Sequence, residues 1–161
     1  MSGEGAMSGD LVMREFQMEE DADQAAEILR DAAQATPWTA EELNRMGELN
    51  GVAAYVSERT TGISGIVIGR TVADEAEILN LAVKRENRRI GEGKKLVQKM
   101  LEEFLARGVS RVFLEVRESN NAAIGFYEHL GFRTIGKRKD YYQEPREAAL
   151  VMELRLGKFT E

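Results

Sequence analysis

Cysteine is absent from this 161-residue chain, and histidine occurs once, as His129. Without a thiol there is no disulfide, no cysteine nucleophile and no cysteine-built zinc site. A metal site would have to be made mostly of carboxylates, and no Asp/Glu spacing suggests one. A serine triad would have to use His129, yet no Gly-x-Ser-x-Gly turn accompanies it. His129 itself reads as a surface helix residue. Long apolar runs are also lacking, since none approaches the ~20 residues that cross a bilayer. The first ten residues carry no basic segment followed by an apolar one, so they do not read as a secretory signal. The expectation is a cytoplasmic protein with no membrane partner. Basic residues are outnumbered, 22 to 28, for a net charge of −6. That balance argues against a nucleic-acid partner. It suits cationic partners such as amines or basic polypeptides.

What is present is enough for one domain with a real core. Residues 1–11 read as a flexible N-terminal tail, 12–156 as the single domain and 157–161 as a C-terminal tail. Residues 12–16 alternate as a first strand. Residues 18–34 read as a helix, with Ala22, Ala25, Ala26, Leu29 and Ala33 near a helical period. Thr39 caps a second helix, and Glu42 completes a capping box. Residues 52–57, 63–70 and 77–83 read as three strands. The clearest helix is 91–107, with an apolar stripe of Leu96, Val97, Met100, Leu101, Phe104 and Leu105. Glu102 and Glu103 read as its solvated face, and Gly108 as its stop. In 111–117, Val112, Leu114 and Val116 face one way, and Phe113, Glu115 and Arg117 the other. Asn120 or Asn121 caps a short helix ending at Gly131. Residues 132–137 and 147–155 close the chain as strands. The order β, two helices, three strands, helix, strand, helix, two strands predicts a mixed α/β (α+β) fold. Its sheet should be mostly antiparallel, with six or seven strands and about four helices.

The segment Arg88-Arg89-Ile90-Gly91-Glu92-Gly93-Lys94 opens the clearest helix straight after a strand. A helix N-terminus offers unpaired N–H groups and a positive dipole end. Glycine lets an anion approach that backbone, and Arg88, Arg89, Lys94 and Lys95 add charge. A nucleotide P-loop is excluded, because Arg88 stands where its first glycine belongs and Lys95 where its hydroxyl belongs. A dinucleotide fingerprint fails because position 96 is leucine. What remains is Arg-x-x-Gly-x-Gly, which by itself also describes a basic helix start with no ligand.

That pattern resembles the coenzyme A loop of the GNAT acetyltransferase superfamily. Asn80-Leu81-Ala82-Val83 precedes it as the superfamily's cofactor-facing strand does. Leu114-Glu115-Val116-Arg117, Ser119-Asn120, Ala123, Tyr127 and Leu130-Gly131-Phe132 follow in order. Together with Trp38 and Asp140-Tyr141-Tyr142 they are similar to the ribosomal-protein-alanine N-acetyltransferases, the RimI type. The likeness covers residues 12–155.

The resemblance implies acetyl-CoA as cosubstrate, no metal, and acetyl transfer to a protein N-terminal α-amine. The implied acceptor is the alanine of a small-subunit ribosomal protein. It implies Glu115 as base and Tyr127 as the acid at the leaving thiolate. Leu81, Ala82 and Val83 would bind the pantetheine arm through their backbone, with Val83 as an oxyanion donor. Ile90, Gly91, Glu92, Gly93 and Lys94 would surround the pyrophosphate, with Arg88 and Arg89 beside it. Asn120 would bind near the pantetheine, and Trp38, Tyr141 and Tyr142 would line the acceptor groove. Read as residues alone, Glu115 is a strand carboxylate, Asn120 a helix cap and Tyr127 a core aromatic. A small-amine acetyltransferase and a non-catalytic acyl-CoA-binding module are the rival functions. Nothing in the sequence marks an oligomer interface.

Overall fold

The computed structural model describes residues 11–32, 35–88 and 90–157. Both expected tails lie almost wholly outside these residues, as do Arg89 and Ala33. The strands are β1 Val12–Glu15, β2 Val52–Arg59, β3 Gly62–Val72, β4 Glu75–Val83, β5 Arg111–Arg117, β6 Arg133–Gln143 and β7 Arg146–Arg155. The helices are α1 Ala22–Asp31, α2 Ala40–Met46, α3 Glu92–Ala106 and α4 Asn121–His129, with a 3-10 turn at Arg85–Asn87. The expected order holds element by element. The strands lie in the order β1-β2-β3-β4-β5-β7-β6. The β1–β2, β2–β3, β5–β7 and β6–β7 pairs are antiparallel, and β4–β5 is parallel. Among the described residues, no helix is long and apolar enough to cross a membrane.

The chain divides into two compact units, Met1–Arg70 with Leu79–Glu103, and Thr71–Ile78 with Phe104–Glu161. In the first, Ala25, Ile28 and Leu29 of α1, Leu43 of α2, Val56 of β2, Ile63, Ile66 and Ile68 of β3 and Ala82 of β4 form one buried cluster. Helix α1 starts at Ala22 rather than near residue 18. Asp21 is the reason. Its carboxylate accepts the Gln17 N–H at 2.7 Å and both Arg14 Nη groups at 2.8 and 3.0 Å, so the preceding turn is tied to β1. Helix α2 begins on the expected box: Thr39 Oγ1 accepts the Glu42 N–H, and the Glu42 carboxylate accepts the Thr39 N–H.

In the second unit, β5 alternates as expected, with Val112, Leu114 and Val116 buried. Tyr127 of α4, Phe132 and Met152 of β7 are buried as well. Asn120 caps α4 by accepting the Ala123 N–H at 3.0 Å.

Helix α3 departs from its expected stripe at two positions. Leu96, Val97, Met100 and Phe104 are fully buried, but Leu105 is 53% exposed and Leu101 only half-buried. At 100° per residue, Leu105 lies about 125° from the centre of the buried four and Leu101 about 85°. Glu103 is not simply solvated either, since its carboxylate accepts the Tyr55 hydroxyl at 2.9 Å.

Burial alone would raise the Asp21 carboxyl, but the Arg14 and Gln17 donors outweigh it and hold it below its ordinary value. A depressed carboxylate stabilises the fold above its unfolded pKa, and that contribution is lost as pH falls through the folded value. Asp21→Asn should therefore lower unfolding free energy at pH 7 by about 2 kcal/mol. It should also flatten the loss of stability below about pH 4, near a free aspartate's value. Urea denaturation from pH 2 to 7 measures both.

Candidate active site

In the first unit, β4 leads through the 3-10 turn to the glycine loop and α3. Gly91 has φ +89°, a conformation that glycine adopts at little cost. A Cβ built there would meet nothing within 4 Å, so the space in front of this backbone is open. The Gly91 carbonyl accepts the Lys95 N–H at 3.1 Å, which leaves the first-turn N–H groups of α3 for an outside acceptor. Lys94 and Lys95 are exposed beside them. This donor set fits an anionic group such as a pyrophosphate.

The side chain of Glu92 does not join that donor set. It is 1% exposed and turned inward. Its carboxylate accepts the Ser57 hydroxyl at 2.5 Å, the Ser64 hydroxyl, and Arg59 Nη2 at 2.8 Å. Ser57 and Arg59 belong to β2 and Ser64 to β3, so one carboxylate fastens the start of α3 to two strands. Gly65 permits the close approach: a Cβ there would stand 2.8 Å from Ser57 Oγ, 2.9 Å from Leu96 Cδ1 and 3.1 Å from the Ala82 carbonyl oxygen.

Arg88 donates from Nε to the Val83 carbonyl at 2.8 Å, so it braces the end of β4. Ala82 and Val83 are buried, Leu81 half-buried and Ile90 exposed. The side chain of Asn80 both accepts the Thr36 N–H and donates to the Thr36 carbonyl, tying β4 to the segment before α2. Trp38, in that segment, packs against the buried cluster of the unit.

In the second unit, one face of the sheet carries a charged group. Arg138 Nη1 of β6 lies 2.6 Å from Glu115 Oε2 of β5. Arg138 also stacks over the Tyr141 ring at 4.5 Å, and Arg117 over the Tyr142 ring at 4.3 Å. Between Arg138 and Tyr142, β6 advances four residues while β7 advances two, from Ala149 to Glu147. Asp140 takes φ +54° inside this bulge. Such a bulge re-aims the side chains it carries. Tyr141 is 42% exposed, and Glu115 first, then burial, raises its phenol above the ordinary value. Burial, then Glu115, raises that of Tyr142.

Glu77, from β4, belongs to the same face. Partial burial and then the like charge of Glu115 push its carboxyl above the usual range. Tyr127 of α4 packs edge-on against Phe126 and Phe132 at 5.0 and 5.4 Å. Burial raises its phenol strongly, so the hydroxyl keeps its proton at neutral pH. Among the described residues that hydroxyl has no hydrogen-bond partner. His129 is exposed on α4.

Residues 10–132 match the acetyltransferase (GNAT) family model. The chain belongs to that family. It is 37% identical over 151 residues to the [ribosomal protein bS18]-alanine N-acetyltransferase of Haemophilus ducreyi, covering 89% of this chain and all of that relative. It is 35% identical over 136 residues to the corresponding Escherichia coli protein, covering 81% and 88%. The crystal structure of the ribosomal-protein-S18-alanine N-acetyltransferase from Escherichia coli superposes with a TM-score of 0.81 at 29% identity, over 94% of this chain and 97% of that one. The mixed sheet is thus a GNAT fold, and the enzyme class is N-acetyltransferase.

Within this GNAT chain, the expected residues fall into two groups. Leu81, Ala82, Val83, Arg88, Ile90, Gly91, Glu92, Gly93, Lys94 and Trp38 lie in the first unit. Glu115, Asn120, Tyr127, Tyr141 and Tyr142 lie in the second. Three participants were not legible in the sequence: Glu77, Arg138 and the inward side chain of Glu92. Strand alternation could have put Glu77 and Glu115 on like faces only once the β4–β5 register was known. Nothing in the spacing distinguishes a buried Glu92 from an exposed one.

Glu92→Ala would leave Arg59 and two hydroxyls buried without their acceptor. Removing one partner of a buried pair typically costs 3–5 kcal/mol. Arg59 is 17% exposed, so the expected loss is nearer ~3 kcal/mol. Urea denaturation of Glu92→Ala beside wild type tests this, and a loss under about 1 kcal/mol would contradict the anchoring role.

Proposed function

We propose that this enzyme acetylates the N-terminal alanine of ribosomal protein bS18, with acetyl-CoA as donor. The observation carrying the acceptor assignment is the likeness to the Haemophilus ducreyi relative over that relative's full length. Its acetyltransferase domain spans residues 12–156, and action on a ribosomal protein implies a cytoplasmic location.

Acetyl-CoA supplies an activated thioester. The chain's residues bind it, orient it and move protons. The first-turn N–H groups of α3, from Gly91 to Lys94, hold the pyrophosphate, with Arg88 and Arg89 nearby. The backbone of Leu81, Ala82 and Val83 holds the pantetheine arm, and the Val83 N–H donates to the developing oxyanion. Asn120 supports the same arm while its side chain caps α4. Trp38, Tyr141 and Tyr142 contribute to acceptor recognition.

An α-ammonium has a pKa near 8 and is mostly protonated at neutral pH. Glu115 acts as the C–N bond forms, when the attacking nitrogen becomes far more acidic. The ammonium loses one proton before attack. The nitrogen then bonds the carbonyl carbon, gives its second proton to Glu115, directly or through water, and the C–S bond breaks. Tyr127 stands as the donor to the departing sulfur. A phenol raised by burial is a weaker acid than a thiol near 8.5. Tyr127 thus lowers the barrier mainly by hydrogen-bonding the thiolate, which in the end takes its proton from solvent or takes the one that Glu115 has accepted. The net products are an amide, a thiol and one released proton.

Glu115→Gln and Tyr127→Phe should each lower kcat by 10²–10⁴-fold with an Ala-initiated peptide, with little change in the acetyl-CoA KM. Unchanged turnover in both variants would refute the mechanism. Activity of wild type confined to small amines, across a panel that includes N-terminal peptides, would refute the acceptor assignment. Acetyl-CoA binding with no acetylation of any amine would leave a binding module instead.

A further inference from the structure

Glu77 is a carboxylate that the transfer just described does not use. Its place follows from the sheet. In the parallel β4–β5 ladder Glu77 pairs with Phe113, and Ala76 with Val112. Val112 and Leu114 are buried, so Phe113 and Glu115 share the opposite face, and the register puts Glu77 on that face with them. Glu115 lies two residues beyond the partner of Glu77. At 4.8 Å between strands and 3.3 Å per residue, the two Cα atoms are about 8 Å apart. Two glutamate side chains at that spacing can converge on one small cation.

The two carboxylates have unlike partners. Glu115 is held by Arg138 at 2.6 Å. No ion pair or hydrogen bond among the described residues ends on Glu77, although it feels the charges of Glu115 and Arg138. Two carboxylates against one guanidinium leave one negative charge over. Partial burial and then the like charge of Glu115 raise the Glu77 carboxyl above its ordinary value. One added cation on this face would relieve that repulsion. An amine acceptor arrives as such a cation, because its pKa near 8 keeps it mostly protonated at neutral pH.

We infer that Glu77 is a positioning residue of the acceptor site, binding the ammonium of the incoming amine beside Glu115 while Arg138 neutralises Glu115. The inference rests on the reading of Glu115 as the base. It divides the labour between two carboxylates: Glu77 holds the cation, and Glu115 takes the proton during bond formation. Arg138 keeps the pair from carrying two uncompensated charges before the acceptor binds. Glu77 faces Glu115 on β5 and Arg138 on β6, and it also acts electrostatically on Tyr141 of the β6 bulge.

The experiment is steady-state kinetics of wild type, Glu77→Gln and Glu77→Asp, from pH 6 to 9, on whichever amine wild type acetylates best from a panel of Ala-initiated peptides and small amines. Glu77 is exposed on the sheet surface, so neither variant should perturb folding, and thermal melts check that. Glu77→Gln should raise the acceptor KM about tenfold, the effect of ~1.4 kcal/mol, with kcat within about threefold and the acetyl-CoA KM unchanged. Glu77→Asp should recover most of the acceptor affinity. An acceptor KM in Glu77→Gln within twofold of wild type at every pH overturns the inference while leaving the base assignment to the Glu115→Gln result. Equal rises in acceptor and acetyl-CoA KM would show a general structural defect and overturn it too. A wild type that acetylates no amine overturns both readings.

Discussion

The carboxylate of Glu92, buried at the first turn of α3, is the contact on which the glycine loop depends. A charge in that position is expensive unless it is fully partnered. Two hydroxyls and a guanidinium from β2 and β3 supply the partners. A negative group at a helix N-terminus also interacts favourably with the helix dipole. In the proposed function the same end of the helix receives a negative pyrophosphate. Turning the Glu92 side chain inward, and setting Arg59 against it, keeps its charge out of the open space in front of Gly91. The loop is then left with open backbone N–H groups and exposed lysines while its one acid is neutralised within the protein.

Charge placement works differently on the face that carries Glu115. Here the ion pair with Arg138 is half in solvent, and surface pairs of that kind stabilise little. Its interest is chemical. An arginine that stacks on Tyr141 and also pairs with Glu115 holds the proposed base beside an aromatic surface. The β6 bulge around Asp140 puts that aromatic where a regular strand would not. Tyr127, by contrast, is set by packing alone. Two aromatic neighbours and deep burial keep its phenol protonated, which suits a donor to a leaving thiolate and would not suit a base.

Much of the fold is legible in the sequence. Alternation over 111–117 gave the buried and open faces of β5, and Thr39 with Glu42 gave the start of α2. Those signals are local: a strand repeats every two residues, and a capping box closes within four. The helix stripe failed at Leu105 because the sequence says that a residue is apolar, not how wide a face its neighbours will cover. Helix α1 failed at its start because the turn before it is fixed by Arg14, seven residues from Asp21 and on another element. The same limit applies to the site. Glu115, Asn120 and Tyr127 were found through a family pattern, and Asn120 is also the cap its position suggested. Glu77 and Arg138 were not found, since their meeting with Glu115 is a matter of strand register.

The sequence by itself determined the order of elements, the excluded chemistries and the glycine loop at the head of the clearest helix. These are properties of residue type and short spacing, in which hydrophobic period, helix capping and backbone freedom act within a turn or two. Only the tertiary structure decided that Glu92 points inward, that Glu115 is paired with Arg138, and that Glu77 stands on the same face with no ion-pair or hydrogen-bond partner among the described residues. The last two depend on which residues of different strands come level with one another, and the sheet brings together positions that lie 23 to 38 residues apart in the chain. The glycine loop is set by local spacing, whereas the face that carries Glu77, Glu115 and Arg138 exists only after the sheet has formed.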